Sequence, residues 1–209
     1  MRCWYFLVGL VILSLGCVET GQFKSDGYNI SYFIYPGADR GVLLVHMMAG
    51  SKSDYVRFAT LLNSKDYTVM AIDLRGHGSS TGTWFNMNKQ EFLGMKQDVC
   101  KAIDLLQNRT ETVYVVGASI GANAALMCCK GEKIVLLSPG LNYHGLDVTN
   151  TDCNKDILIV VGKDDTYACN SSVYLANRLN ATLWVKDTPL HGTDLLDRST
   201  MEEIIEWLS

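Results

Sequence analysis

Three side chains far apart in the chain are of the types that together break an acyl bond: Ser119, Asp165 and His191. A serine hydroxyl is a weak nucleophile at neutral pH. It needs an imidazole to take its proton and a carboxylate to hold that imidazole in the right tautomer. Ser119 lies in Gly117-Ala118-Ser119-Ile120-Gly121, after the apolar run Val113–Val116 and before an alanine-rich helical stretch. That strand-turn-helix setting is what a nucleophile elbow requires, with glycines where a sharp turn brings backbone and helix together. The N–H of Ile120, at the start of the helix, is then aimed at a developing oxyanion. A phosphate-binding loop would want Gly-x-Gly-x-x-Gly or Gly-Lys-Ser/Thr, and neither accompanies this turn.

Four histidines are available as the base. His46 and His77 end earlier strands and His144 falls in a loop, whereas His191, in Thr188-Pro189-Leu190-His191-Gly192, lies between the final strand and the final helix. A chain order of serine, acid, histidine favours His191. For the acid, Gly162-Lys163-Asp164-Asp165 follows a strand directly. Asp165 has the reach toward the histidine loop, and Asp164, the alternative, suits a turn-ordering role.

These residues need a scaffold that carries several strand ends to one edge. Tyr28–Tyr35 alternates as a strand near a sheet edge does, while Gly41–Val45, Thr68–Ile72, Val113–Val116, Lys133–Leu137, Ile157–Val161 and Thr182–Val185 are short, β-branched and almost continuously apolar. Such runs suit strands covered on both faces. Between them lie helical patterns, the longest from about Lys89 to Gln107 with Phe92, Met95, Val99, Ile103 and Leu106 on one face. Others follow Ser119 through Cys129 and span 54–62, 171–179 and 200–208. The expected fold is α/β, a mainly parallel twisted sheet with helices on both faces.

With 209 residues, 48% hydrophobic and 19% charged, the chain is long enough for one domain with a large core. A net charge of −4 and the lack of a Lys/Arg stripe argue against nucleic acid as a partner. Residues 1–16, with Arg2 before an apolar stretch, read as a signal peptide. Leu13-Ser14-Leu15-Gly16-Cys17 resembles a lipoprotein processing site that makes Cys17 the mature N-terminus. Secretion and an uncleaved membrane anchor are the alternatives. Residues 17–27 then form a short tether and 28–209 the domain, exported to the cell envelope. Cys100, Cys128 and Cys129 lie in helical apolar patterns and read as buried thiols. Cys153 and Cys169 flank one strand and are the candidate disulfide. The spacing offers no structural metal site. Asn29, Asn108, Asn170 and Asn180 each begin an Asn-x-Ser/Thr sequon.

From Tyr28 to Leu208 the chain resembles the α/β-hydrolase superfamily, on the motif at Ser119, on Leu43-Leu44-Val45-His46 and on Asp73-Leu74-Arg75-Gly76-His77-Gly78-Ser79. Val116 to Asn123 is similar to small dienelactone-hydrolase-like members, whose namesake carries cysteine where this chain has Ser119. The resemblance implies an acyl-enzyme mechanism with Ser119, Asp165 and His191 as nucleophile, acid and base, no cofactor and no metal. It also implies that His46, Asp73 and His77 order loops. The family writes His-Gly where this chain has His46-Met47-Met48. The second oxyanion donor is then the N–H of Met48, with Met47 the alternative, and the methionine side chains, Met47 above all, suit an apolar acyl pocket. Trp84, in the Ser80–Asn88 loop, is a further substrate-binding candidate. The chain leaves no room for a lid domain. A carboxylic-ester hydrolase with a small acyl substrate is the expected function. A peptidase, thioesterase or acyltransferase with the same triad, or a non-catalytic binder on the same scaffold, are the rivals. Mass spectrometry of the membrane fraction is expected to find lipid on Cys17; an unmodified Cys17 there overturns the lipoprotein reading.

Overall fold

Strands that are apolar at nearly every position bury both faces only if helices cover both sides of the sheet, and that is how this chain packs. A computed structural model describes residues 18–209; the expected signal peptide and Cys17 lie outside them. Ten strands and six helices follow in order: β1 (Glu19–Ser25), β2 (Tyr28–Tyr35), β3 (Arg40–Val45), α1 (Val56–Asn63), β4 (Thr68–Ile72), α2 (Lys89–Leu93), α3 (Met95–Gln107), β5 (Thr112–Ala118), α4 (Ile120–Cys128), β6 (Lys133–Leu137), β7 (Asn142–Tyr143), β8 (Leu146–Asp147), β9 (Asp156–Gly162), α5 (Thr166–Leu179), β10 (Thr182–Lys186) and α6 (Arg198–Leu208). Eight strands form one sheet in the order β1-β2-β4-β3-β5-β6-β9-β10. Within it β2 runs antiparallel to both its neighbours and every other pairing is parallel; β7 and β8 pair antiparallel as a separate two-stranded hairpin.

Odd and even positions of each strand go to different cores. Leu43, Val45, Val113, Val115, Ile134, Leu136, Ile157 and Ile159 meet α3, α4 and α5 on one face. Val42, Leu44, Tyr114, Val116, Val135, Leu137, Leu158 and Val160 meet α1 and α6 on the other. The expected α/β class and two-sided helical cover are therefore what the chain adopts.

Three expectations are corrected. The tether is not a tether, because residues 19–25 form β1 against β2. The signal was Asp26-Gly27, which closes the hairpin in two residues with φ of 46° and 86°; two positive values are what a tight type I′ turn demands. The single helix expected over 89–107 is divided at Gly94 into α2 and α3. A side chain at 94 would run into the Arg75 guanidinium, which lies against it.

The cysteine pairing also differs. Cys153 and Cys169 do not bond; Cys100 pairs with Cys128 and Cys129 with Cys153, at Cα separations of 5.7 and 5.6 Å, and Cys169 is free. Residues that flank a seven-residue strand sit at its opposite ends, about 20 Å apart at some 3.3 Å per residue, too far for a bridge. Cys153 lies instead at the edge where α4 ends. The three cysteines read as buried thiols thus staple α4 to α3 and to the segment before β9. Closing loops of 28 and 24 residues restricts the unfolded chain by roughly 3.5 kcal/mol each in the chain-entropy account. Cys129→Ser with Cys153→Ser is expected to lower the melting temperature clearly under non-reducing conditions, and dithiothreitol is expected to shift the wild type further; a melt indifferent to both would count against the bridges.

Candidate active site

Each candidate side chain hangs from the carboxyl end of a parallel strand, the edge where an open α/β sheet presents its ligands. Ser119 sits between β5 and α4 with φ 53° and ψ −116°, a backbone state that non-glycine residues rarely adopt. The turn is held by close approach. A Cβ at Gly117 would meet the Gly121 carbonyl at 2.5 Å, and a Cβ at Gly121 would meet the carbonyls of His46 and Val45 at 2.5 and 2.7 Å. Ser119 N–H donates to the Leu137 carbonyl at 2.8 Å, and the serine is 5% exposed. The N–H groups of Met47, Met48 and Ile120 have no hydrogen-bond partner among the described residues.

Asp165 follows β9 at the N-cap position of α5, yet its side chain makes no capping bond. Its carboxylate is committed elsewhere: Oδ2 lies 2.5 Å from His191 Nδ1. Asp164 is exposed and only its amide is used, toward Thr188. The alternative acid is therefore away from the histidine. Gly162 permits this meeting, because a Cβ there would strike the carbonyls of Leu190 and Thr188 at 2.5 and 2.7 Å. The loop that carries His191 thus lies directly on the end of β9. Beyond it, Gly192 N–H donates to Ser138 Oγ at 3.0 Å, and Gly192 packs against Met47 and Ala118. The histidine loop thereby lies against Ala118, the neighbour of Ser119, and the His191 ring stands edge-on to Tyr143 at 6.4 Å.

The remaining histidines and Asp73 bind loops. His46 is fully buried, with Nδ1 2.6 Å from the Met47 carbonyl and Nε2 accepting from Leu74 N–H at 3.0 Å. That pattern requires the neutral ring, and burial pushes its pKa down to about 4. Asp73, also buried, accepts from the Lys52 amide and ammonium at 2.7 and 2.5 Å and from Ser79 N–H at 2.8 Å. His77 bonds the Arg75 carbonyl and leaves Nε2 without a partner among the described residues. His144 stacks on Phe92, away from the triad.

Trp84 stacks on His77, whose ring in turn lies 4.9 Å from that of His46. Met47 and Met48 line an open cavity of about 480 Å³ together with Ala49, Gly50, Asp54, Thr193 and Asp194; neither Ser119 nor His191 is among its lining residues. Two residues of this edge were missed: Ser138, which latches the histidine loop, and Tyr143. Their signal was Ser138-Pro139-Gly140 directly after β6, a turn at the same sheet edge. Among the described residues no group of three or more His, Cys, Asp or Glu is arranged to hold a metal ion, and no helix is long and apolar enough to cross a membrane.

A family model described as serine aminopeptidase, S33, matches residues 37–163. No curated protein matches the chain by sequence. Among solved structures, the chain is similar to an esterase of Pyrococcus furiosus, Pf2001, with a TM-score of 0.73, 21% identity and 91% of each chain covered. It is similar to Est1E of Butyrivibrio proteoclasticus, solved with ferulic acid bound, with a TM-score of 0.74, 16% identity and coverage of 90% and 97%. It is also similar to Est816, described as an N-acyl homoserine lactone degrading enzyme, with a TM-score of 0.72, 16% identity and coverage of 90% and 98%. At these identities the likeness is one of fold.

The depressed His46 pKa has a consequence for stability. The folded value lies below that of the unfolded chain, so stabilisation is whole above about pH 6.5 and is lost as pH falls toward 4. Urea unfolding at pH 7.5 and pH 4.5 is expected to differ by roughly 2–3 kcal/mol on this account, and the gap is expected to shrink in His46→Gln. An equal gap in the variant would remove His46 as the cause.

Proposed function

Because the chain belongs to the α/β-hydrolase superfamily, through the family described as serine aminopeptidase, S33, it is a hydrolase, and we propose that it cleaves carboxylic esters through an acyl-enzyme on Ser119. The observation that carries this reading is the commitment of Asp165 to His191 Nδ1 at 2.5 Å, at the expense of capping α5. With Nδ1 holding its proton toward the carboxylate, Nε2 is free to act as base. His191 Nε2 takes the Ser119 proton as Oγ bonds to the substrate carbonyl carbon, whose π pair moves to oxygen. The oxyanion is received by the N–H groups of Ile120 and Met48, with Met47 the alternative to Met48. Collapse re-forms the carbonyl and expels the alkoxide, which takes the proton from Nε2. Water then repeats the sequence with the same base and releases the acid. Met47 is the residue we assign to meet the acyl group, with Trp84 a further substrate-binding candidate.

Ester cleavage is favoured because the similar structures are described as esterases or a lactone-degrading enzyme. The family description favours a second reading, removal of an N-terminal residue from a peptide by the same chemistry. Export is supported by the two disulfides, which persist in oxidising compartments. Whether Cys17 or an uncleaved segment ties the chain to a membrane is a separate proposal.

A fluorophosphonate probe is expected to label the wild type on Ser119, and Ser119→Ala is expected to lose the label and to lower ester turnover by about 10³-fold or more with an unchanged melt. Unaltered turnover in the variant sinks the assignment. Faster cleavage of aminoacyl p-nitroanilides than of matched esters would decide for the peptidase.

A further inference from the structure

The segment after β6 carries a tyrosine that the triad chemistry does not use. Tyr143, in the β7–β8 hairpin, lies edge-on to the His191 ring at 6.4 Å, donates its hydroxyl to the Ser138 carbonyl over a long 3.5 Å, and has its phenol within interaction range of the Ser119 hydroxyl. It is held firmly. Its ring covers Gly140, where a Cβ would meet Tyr143 Cζ at 2.5 Å. Asn123, on the helix that begins at the elbow, donates to the carbonyls of Gly140 and Leu146 at 2.9 and 2.8 Å, bracketing the hairpin from within the core. Tyr167, in ring contact with Tyr143 at 5.6 Å, accepts from the Asn142 amide and donates to its carbonyl.

The sheet order decides which side of the reacting carbon this phenol faces. β3, with the free amides of Met47 and Met48 at its end, lies on one side of β5; β6, β9 and β10, which deliver Tyr143, Asp165 and His191, lie on the other. An oxyanion drawn to the β3 side leaves the departing oxygen on the side of His191 and Tyr143. We propose, on the reading that Ser119 forms an acyl-enzyme, that Tyr143 is a further catalytic residue whose O–H donates a hydrogen bond to the leaving-group oxygen. As the bond from the tetrahedral carbon to that oxygen breaks and the electron pair moves onto the oxygen, His191 Nε2 transfers its proton there. Tyr143 keeps its own proton and steadies the charge in transit. Burial, with the Asp165 charge adding to it, holds the phenol above the ordinary tyrosine range, so it remains a donor at neutral pH.

Assistance to a leaving group matters most where the leaving group is poor. Tyr143→Phe keeps the ring and deletes the donor. kcat/KM is measured for wild type and variant on p-nitrophenyl, phenyl, trifluoroethyl and ethyl esters of one acid, with fluorophosphonate labelling and melting temperature in parallel. The expected result is a labelled, normally melting variant whose loss is under about threefold on the p-nitrophenyl ester and grows to about 10- to 100-fold on the ethyl ester, the size of one hydrogen bond to a charged oxygen. A uniform loss across the series, with or without a lowered melt, assigns Tyr143 to packing and overturns the proposal, as does no loss at all. A wild type that neither labels nor cleaves any ester overturns the Ser119 reading itself, an outcome distinct from a labelled enzyme with a flat Tyr143→Phe series.

Discussion

The architecture depends on one turn in which backbone is packed against backbone without side chains between. At Gly117 and Gly121 the elbow approaches its own helix and the end of β3 at distances that admit no Cβ. Ser119 is held there in a left-handed conformation that costs on the order of 1–3 kcal/mol. The cost is tolerable because β5 is central, paired with β3 on one side and β6 on the other, and because α4 is buried nearly all round. A strained residue survives where its surroundings over-determine it, and the middle of an eight-stranded sheet is such a place.

The two edges of the sheet divide the work. At the carboxyl edge, groups are diverted from the local structure they would otherwise serve. Asp165 leaves the N-terminus of α5 uncapped by its side chain, and the amides of Met47, Met48 and Ile120 are unspent. At the opposite edge, both disulfides draw together α3, the end of α4 and the approach to β9. The covalent stapling thus lies away from the residues that must meet a substrate, and the helix whose N-terminus presents Ser119 is anchored at its far end.

Around the candidate triad, buried polar groups are paired in ways that need a fixed protonation state. His46 joins the ends of β3 and β4 only as a neutral ring, and both carboxyl oxygens of Asp73 accept, from Lys52 and Ser79. Low local dielectric makes such bonds strong when complete and expensive when broken. The loops that carry Met47, Met48 and His77 are therefore ordered by groups that take no part in the proposed acyl chemistry, which leaves His191 as the histidine with a carboxylate partner at the open edge.

Much of this was legible in the residues themselves. Apolar runs with β-branched residues located β2 to β6, β9 and β10, because two-sided burial leaves a composition that local reading detects. Ser119, Asp165 and His191 were legible because the elbow has strict steric needs and because each acid or base candidate followed a strand. β1 was missed because its residues are polar and it is a strand only through pairing with β2 across Asp26-Gly27. The break at Gly94 was missed because it reflects where the Arg75 side chain lies, a matter of packing between distant segments.

What the sequence alone determined is the set of apolar strands and the order in which strand ends deliver a serine, an acid and a histidine, since periodicity and turn chemistry are local. Tertiary structure decided the partnerships. It turned Asp165 rather than Asp164 to His191, paired Cys153 with Cys129 rather than Cys169, stacked Trp84 on His77, and brought Tyr143 edge-on to His191. Each of those outcomes is a distance between residues far apart in the chain, fixed by strand order and by which end of a strand a residue occupies, and such distances are not written in any local pattern.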